Sequence, residues 1–230
     1  MTPTDERQLA ATIDHTLLVP TATREDIERL CDEAIEYAFQ AVCINSRWVS
    51  IAADRLHTSG IKVATVVGFP LGAESTQTKV AHAKDAIFEG ADEIDMVADL
   101  AALVEGDSKY LLGQLRSAVK VCRAMRPPVL LKVIIETAAL TVDQKQFACR
   151  VAQMADVDFL KTSTGFHPAG GATVEDVTLL KAEAPRCKVK ASGGIKTAQQ
   201  VLDMLAAGAD RIGTSNAVEI IRQFRAGTSG

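Results

Sequence analysis

The chain has 230 residues, of which 47% are hydrophobic and 23% charged, an ordinary globular mixture with ample material for a large core. That excludes a disordered or fibrous chain. With 25 basic against 29 acidic residues, a net charge of −4 and 4% aromatics, it also lacks the positive excess and stacking platforms of a nucleic-acid binder. No apolar run approaches the ~18 residues that span a bilayer; the longest, residues 129–135, is broken by Lys132. The opening, Met1-Thr2-Pro3-Thr4-Asp5-Glu6-Arg7, is polar and unlike a secretory signal. Five cysteines (Cys31, Cys43, Cys122, Cys149 and Cys187), widely spaced and without a C-x-x-C, point to a reducing cytoplasm.

Eight β-rich runs alternate with amphipathic segments along the chain. Residues 13–18 read as the first strand. Thr23 then opens a helix whose Ile27, Leu30, Ala34, Ile35 and Ala38 share one face. Residues 41–45, 62–68 and 93–98 follow as strands two to four, and 129–136 as the fifth. Thr141 with Gln144 forms a capping box for the next helix. Residues 157–161 are the sixth strand, and Thr173 with Asp176 starts the helix after it. Residues 188–192 are the seventh, Thr197 opens a helix running to Ala207, and 211–213 are the eighth.

One junction recurs. Gly90-Ala91-Asp92-Glu93-Ile94 and Gly208-Ala209-Asp210-Arg211-Ile212 each join a helix to a strand, and Ala155-Asp156-Val157-Asp158-Phe159 echoes them without the glycine. Eight strands at roughly 29 residues per unit suit a strand plus crossover helix. Such an order demands a parallel sheet, and eight units close into a (β/α)8 barrel, an α/β fold in one domain over 1–230. A doubly wound open sheet is the rival arrangement.

Strands of a parallel barrel are covered on both faces and should be apolar. Here Asp14, Asp95, Lys132, Lys161 and Lys190 interrupt five of them, toward the ends where barrel active sites are built. Any one lysine can snorkel to solvent. Five buried charges, each costing several kcal/mol if unpaired, imply a compensated functional cluster. One or two are expected to be structural, with Lys132 paired to Asp14 or Glu136. Lysine and aspartate inside a barrel suit imine chemistry: a neutral amine attacks a carbonyl and the protonated imine withdraws electrons, so a C–C bond breaks without a metal. A second lysine favours the neutral amine, and a carboxylate moves protons through water. No metal or other cofactor is expected, since His15, His57, His82 and His167 have no ligand spacing. His15 reads as a hydrogen-bonded structural residue. No nucleophile elbow or Walker loop occurs.

Glycine-rich turns follow the last strands. Gly165, Gly170-Gly171, Gly193-Gly194 and Gly213-Thr214-Ser215 outline the usual barrel phosphate site, where backbone N–H groups and the Ser215 hydroxyl hold an anion. A phosphorylated small substrate is the reading.

These residues match a known family. Ile13-Asp14-His15-Thr16-Leu17-Leu18, Val42-Cys43-Ile44-Asn45, Val67-Gly68-Phe69-Pro70-Leu71-Gly72, Glu93-Ile94-Asp95-Met96-Val97, Leu131-Lys132-Val133-Ile134-Ile135-Glu136-Thr137, Lys161-Thr162-Ser163-Thr164-Gly165 and Val189-Lys190-Ala191-Ser192-Gly193-Gly194-Ile195 carry the likeness. Nearly the whole chain resembles the deoxyribose-phosphate aldolases, class I aldolases of deoxynucleoside breakdown. The resemblance implies cleavage of 2-deoxy-D-ribose 5-phosphate to acetaldehyde and D-glyceraldehyde 3-phosphate. It implies Lys161 as the imine-forming lysine, Lys190 as the second lysine and Asp95 as the proton relay; strand pattern alone does not separate Lys161 from Lys132. From the glycine-rich turns, Gly165, Gly193, Gly194, Gly213 and Ser215 are the expected substrate-binding residues. Small phosphosugar and aldehyde substrates are the expected partners, with neither nucleic acid nor membrane. A homodimer or homotetramer is expected. The rivals are another class I aldolase for a different phosphosugar and a catalytically idle phosphosugar-binding barrel. Three positions depart from the family: Val19 where lysine is common, Ala98 where asparagine is common, and an end, Ala226-Gly227-Thr228-Ser229-Gly230, without the terminal tyrosine. Cys43, beside the expected pocket, reads as a buried, inert thiol.

Overall fold

The computed structural model of the chain describes residues 3–228, so the Ser229-Gly230 end, where the tyrosine departure falls, lies outside the described residues. A short helix α1 (Glu6–Ala10) leads into β1 (Ile13–Leu17), α2 (Arg24–Tyr37), β2 (Ala41–Ile44), a 3-10 turn at Ser46–Trp48, α3 (Val49–Leu56) and β3 (Lys62–Val67). Then come α4 (Thr76–Phe88), β4 (Glu93–Val97), α5 (Leu100–Glu105), α6 (Ser108–Arg123), β5 (Leu130–Ile134), α7 (Val142–Ala155) and β6 (Phe159–Lys161). The chain finishes with α8 (Val174–Glu183), β7 (Lys188–Ser192), α9 (Ala198–Ala206), β8 (Arg211–Thr214) and α10 (Ala217–Thr228). Each strand pairs parallel with the next, and β1 closes on β8 with Ile13 opposite Ile212. The sheet is therefore a closed (β/α)8 barrel, and the open doubly wound rival is excluded.

The expected caps form. Thr23 with Asp26, Thr141 with Gln144 and Thr197 with Gln200 are reciprocal capping boxes, while Thr173 accepts from the Asp176 N–H. The junction repeat is real, but its third copy is shifted by two residues. Gly90 and Gly208 end their helices at φ 107° and 108°, and the third such position is Asp156, left-handed at φ 62°. Two residues on, Asp92, Asp158 and Asp210 each accept from a backbone N–H of the preceding strand, at Val63, Leu131 and Val189 (2.8–2.9 Å). These aspartates stitch the N-terminal rim of the barrel.

The larger apolar core lies between the strands and the helices. Inside the barrel a separate small cluster of Leu18, Cys43, Ala64 and Val66, with Phe69 against it, fills the side of β1–β3. The charged side chains of the interior come from β1 and from the β4–β8 side.

Candidate active site

Alternate residues of β1 and β4–β8 send seven charged side chains into the barrel. Asp95 is fully buried; its Oδ1 accepts from Lys132 (2.6 Å), and its Oδ2 accepts from both Lys161 and Lys190 (2.8 Å each). Lys132 also meets Glu93 at 2.6 Å, with Asp14 at 3.9 Å. Lys190 donates to Asp14, and Arg211 bridges Asp14 (2.6 Å) and Glu93 (3.2 Å) with its guanidinium over the Phe159 ring. The three acids come from β1 and β4; the four cations come one each from β5, β6, β7 and β8. Lys132, Lys190 and Arg211 each touch at least two carboxylates, whereas Lys161 touches one.

Burial alone would raise the Asp95 carboxyl, but Lys132, Lys161 and Lys190 outweigh it and hold that group well below the usual carboxylate range. Burial would likewise strip the proton from Lys190, yet Asp14 and Asp95 hold it above the ordinary lysine value. Lys132 is raised for the same reason, by Asp95 and Glu93 against burial. Lys190 is thus a fixed ammonium sharing one oxygen with Lys161.

Above this network opens a cleft enclosing about 750 Å³, mouth included. Lys161 reaches it, while Asp95 and Lys190 lie beneath with no exposed surface. The walls are Leu18 and Val19 after β1, Thr164-Gly165-Phe166 after β6, Ser192 to Lys196 after β7, and Gly213 to Asn216 ahead of α10. The loops are tied to each other. The Ser192 hydroxyl donates to the Ser163 carbonyl (2.6 Å), and the Thr214 hydroxyl donates to the Ile195 carbonyl (2.7 Å). Gly171 must be glycine, because a Cβ there would lie 2.2 Å from the Gly193 oxygen. Phe69, from the β3–α4 loop, meets Phe166 edge-on with centroids 5.3 Å apart.

This arrangement has known counterparts. The profile of the DeoC/LacD family aldolases matches residues 8–223. The chain belongs to that family. A deoxyribose-phosphate aldolase of Thermococcus kodakarensis is 51% identical over 94% of this chain and 97% of its own. One from Caldicellulosiruptor saccharolyticus is 47% identical over 95% and 99%. The structure of the Aeropyrum pernix deoxyribose phosphate aldolase, described as a unique tetramer, superposes with a TM-score of 0.89 at 30% identity, covering 96% of this chain and 92% of that one.

Within this aldolase barrel the sequence-derived residues sort clearly. Asp95, Lys161 and Lys190 meet at one carboxylate oxygen, and Gly165, Gly193, Gly194, Gly213 and Ser215 all line the cleft above them. Lys132 pairs with Asp95 and Glu93 and only distantly with Asp14. The expected Lys132–Glu136 pair does not form, because Glu136 leaves the strand at φ 54° and turns to Thr164. His15 is structural, bonding Glu33 at 2.6 Å outside the cleft lining, with burial lowering its proton affinity. Cys43 is fully buried, and burial pushes its thiol up. Of the departures, Val19 lies on the cleft wall and Ala98 is buried. Sequence reasoning missed Glu93, Arg211 and Lys196. The first two stand at the same place in the Gly-Ala-Asp repeat with opposite charges, which was the available signal. Lys196 lines the cleft beside Gly194. Among the described residues no group of three or more His, Cys, Asp or Glu could hold a metal ion, and no helix is long and apolar enough to cross a membrane.

Proposed function

We propose that this aldolase reversibly cleaves 2-deoxy-D-ribose 5-phosphate to acetaldehyde and D-glyceraldehyde 3-phosphate through a Schiff base on Lys161. The observation that carries this reading is that, among the described residues, Lys161 alone joins the ionic network to the cleft, with the glycine loops above it and the Asp95 carboxylate 2.8 Å away. The amine adds to the C1 aldehyde, and the carbinolamine loses water to give an iminium. A base, Asp95 acting through a water, takes the proton of the C3 hydroxyl. The C2–C3 bond breaks, its electron pair moves into the iminium, and glyceraldehyde 3-phosphate leaves an enamine behind. Protonation at C2 and hydrolysis of the iminium release acetaldehyde and regenerate the amine. Lys190 keeps its charge throughout and orients both partners.

The phosphate would sit between the Gly165, Gly193 and Gly194 turns and the start of α10, near Ser215 and Lys196, where free N–H groups and the helix dipole favour an anion. The five thiols are buried and unpaired, which suits a reducing cytoplasm. By likeness to the Aeropyrum pernix tetramer we extend a homo-oligomer to this chain, to be measured by light scattering.

Borohydride trapping tests the mechanism. An acetaldehyde adduct should map to Lys161, and Lys161→Ala should lose both adduct and turnover while keeping its circular dichroism. Activity should survive prolonged EDTA treatment, since the iminium is the electron sink. An adduct on Lys132 or Lys190, or EDTA loss restored by zinc, would overturn the reading.

A further inference from the structure

Glu136 is an unexpected residue where β5 ends. Its backbone is left-handed (φ 54°, ψ 64°), a conformation uncommon for a long side chain; among the described residues the other non-glycine cases, Ala38 and Asp156, end helices. Its carboxylate is buried, and no lysine, arginine or histidine among the described residues comes within 4.0 Å. Among the described residues the carboxylate's one hydrogen-bond partner is Thr164: the hydroxyl donates to Oε2 (2.5 Å), and the Thr164 N–H points at both oxygens (3.3 Å each). The Thr164 hydroxyl oxygen in turn accepts from the Phe166 N–H (3.1 Å).

Stability alone does not explain this combination. Glycine would hold the same backbone without strain, and an apolar side chain would avoid burying a charge without a counter-ion. The consequence lies in the turn that Glu136 grips. The N–H groups of Thr164 and Phe166 are both consumed inside the clasp, and among the described residues the N–H of Gly165 between them has no acceptor in the protein. Gly165, at φ 82°, lines the cleft with its Cα facing Gly193.

We infer that Glu136 is a positioning residue for the phosphate arm of the substrate, shaping the Thr164–Phe166 turn so that its one remaining N–H donor faces the anion. This rests on the proposed phosphosugar reading and refines it.

The test uses Glu136→Gly, Glu136→Gln, Thr164→Val and Thr164→Ser in the full chain, each checked by thermal melting. In Glu136→Gly and Thr164→Val the preference in kcat/KM for 2-deoxyribose 5-phosphate over 2-deoxyribose should fall about tenfold or more, with the loss in KM. Glu136→Gln and Thr164→Ser, which retain an acceptor or a hydroxyl, should keep most of that preference. The affinity for inorganic phosphate, measured by calorimetry, should fall in the same two variants. Equal losses on both sugars, unchanged phosphate affinity, or a glutamine as damaging as glycine would overturn the role. A parent protein that binds phosphate but cleaves neither sugar would instead refute the functional reading and leave the phosphate arm of the test to decide Glu136.

Discussion

Asp95 receives three ammonium groups, and its two oxygens divide them unequally: Lys132 on one, Lys161 and Lys190 on the other. That division sets Lys132 apart from Lys161 and Lys190, the pair proposed to carry the reaction, which residue type alone cannot do. Lys190→Leu tests its electrostatic half. Asp14 would keep Arg211, and Asp95 would keep Lys132 and Lys161, so no carboxylate is stranded. Like charges disfavour a second ammonium, so removing one should move the kcat/KM–pH profile toward alkaline values. Residual activity should recover in part as pH climbs. Lys190→Arg keeps the charge and should hold the profile near that of the parent while lowering the rate through altered shape. A profile that stays put in Lys190→Leu would leave Lys190 without an electrostatic role.

At the scale of elements, the loops after β6, β7 and β8 are expected to divide substrate recognition from chemistry. Ser215→Asp sets a negative charge at the start of α10. Gly193→Val forces a side chain into a position at φ 91° whose Cβ would meet the Gly171 Cα at 3.0 Å. Both should raise KM for the phosphorylated sugar by on the order of tenfold or more, and change activity on 2-deoxyribose much less. Steady-state kinetics on the two sugars decides it; equal losses would mean that these loops serve folding. The same scale shows what periodicity could reveal. β-rich runs locate all eight strands, and the caps at Thr23, Thr141, Thr173 and Thr197 open helices between them, because both signals are local. The shifted third junction escapes them, since Asp156 takes a conformation that composition assigns to glycine. Glu136 escapes for a related reason: an extended apolar run does not announce where the backbone reverses hand. Glu93 and Arg211 stand in plain view, but their pairing depends on barrel closure, which brings β4 opposite β8 and leaves no trace in local spacing.

For the molecule as a whole, the buried charges govern behaviour in acid. Asp14 and Asp95 lie below their ordinary value of 3.8 in the folded state, both held there against burial by the neighbouring cations. An acid lowered on folding contributes stability above its unfolded value and loses it as pH falls through the folded one. The barrel should therefore persist on acidification until pH drops below 3.8. His15 works earlier and more gently. Burial lowers its proton affinity in the folded state against the pull of Glu33, so its contribution begins to fade as pH falls below 6.5. Urea midpoints collected across the pH range check both; a cooperative acid transition centred above pH 4 would show that the interior network is not held as described.

The distribution of those charges along the chain sets how the barrel can assemble. Cut between α6 and β5, the chain yields one fragment carrying three interior carboxylates and another carrying four interior cations. Neither half could close on itself without stranding like charges in a dry interior, so a half-barrel has no stable state of its own. Folding should be all-or-none across the whole ring, with opposite fields drawing the halves together. Co-refolded fragments 1–126 and 127–230 should regain the barrel's circular dichroism, at a rate that falls with added salt, while each fragment alone stays unfolded. A fragment that melts cooperatively by itself would refute this. Mutual dependence of this kind also protects against misassembly, because a swapped or duplicated half presents its own sign of charge and is rejected.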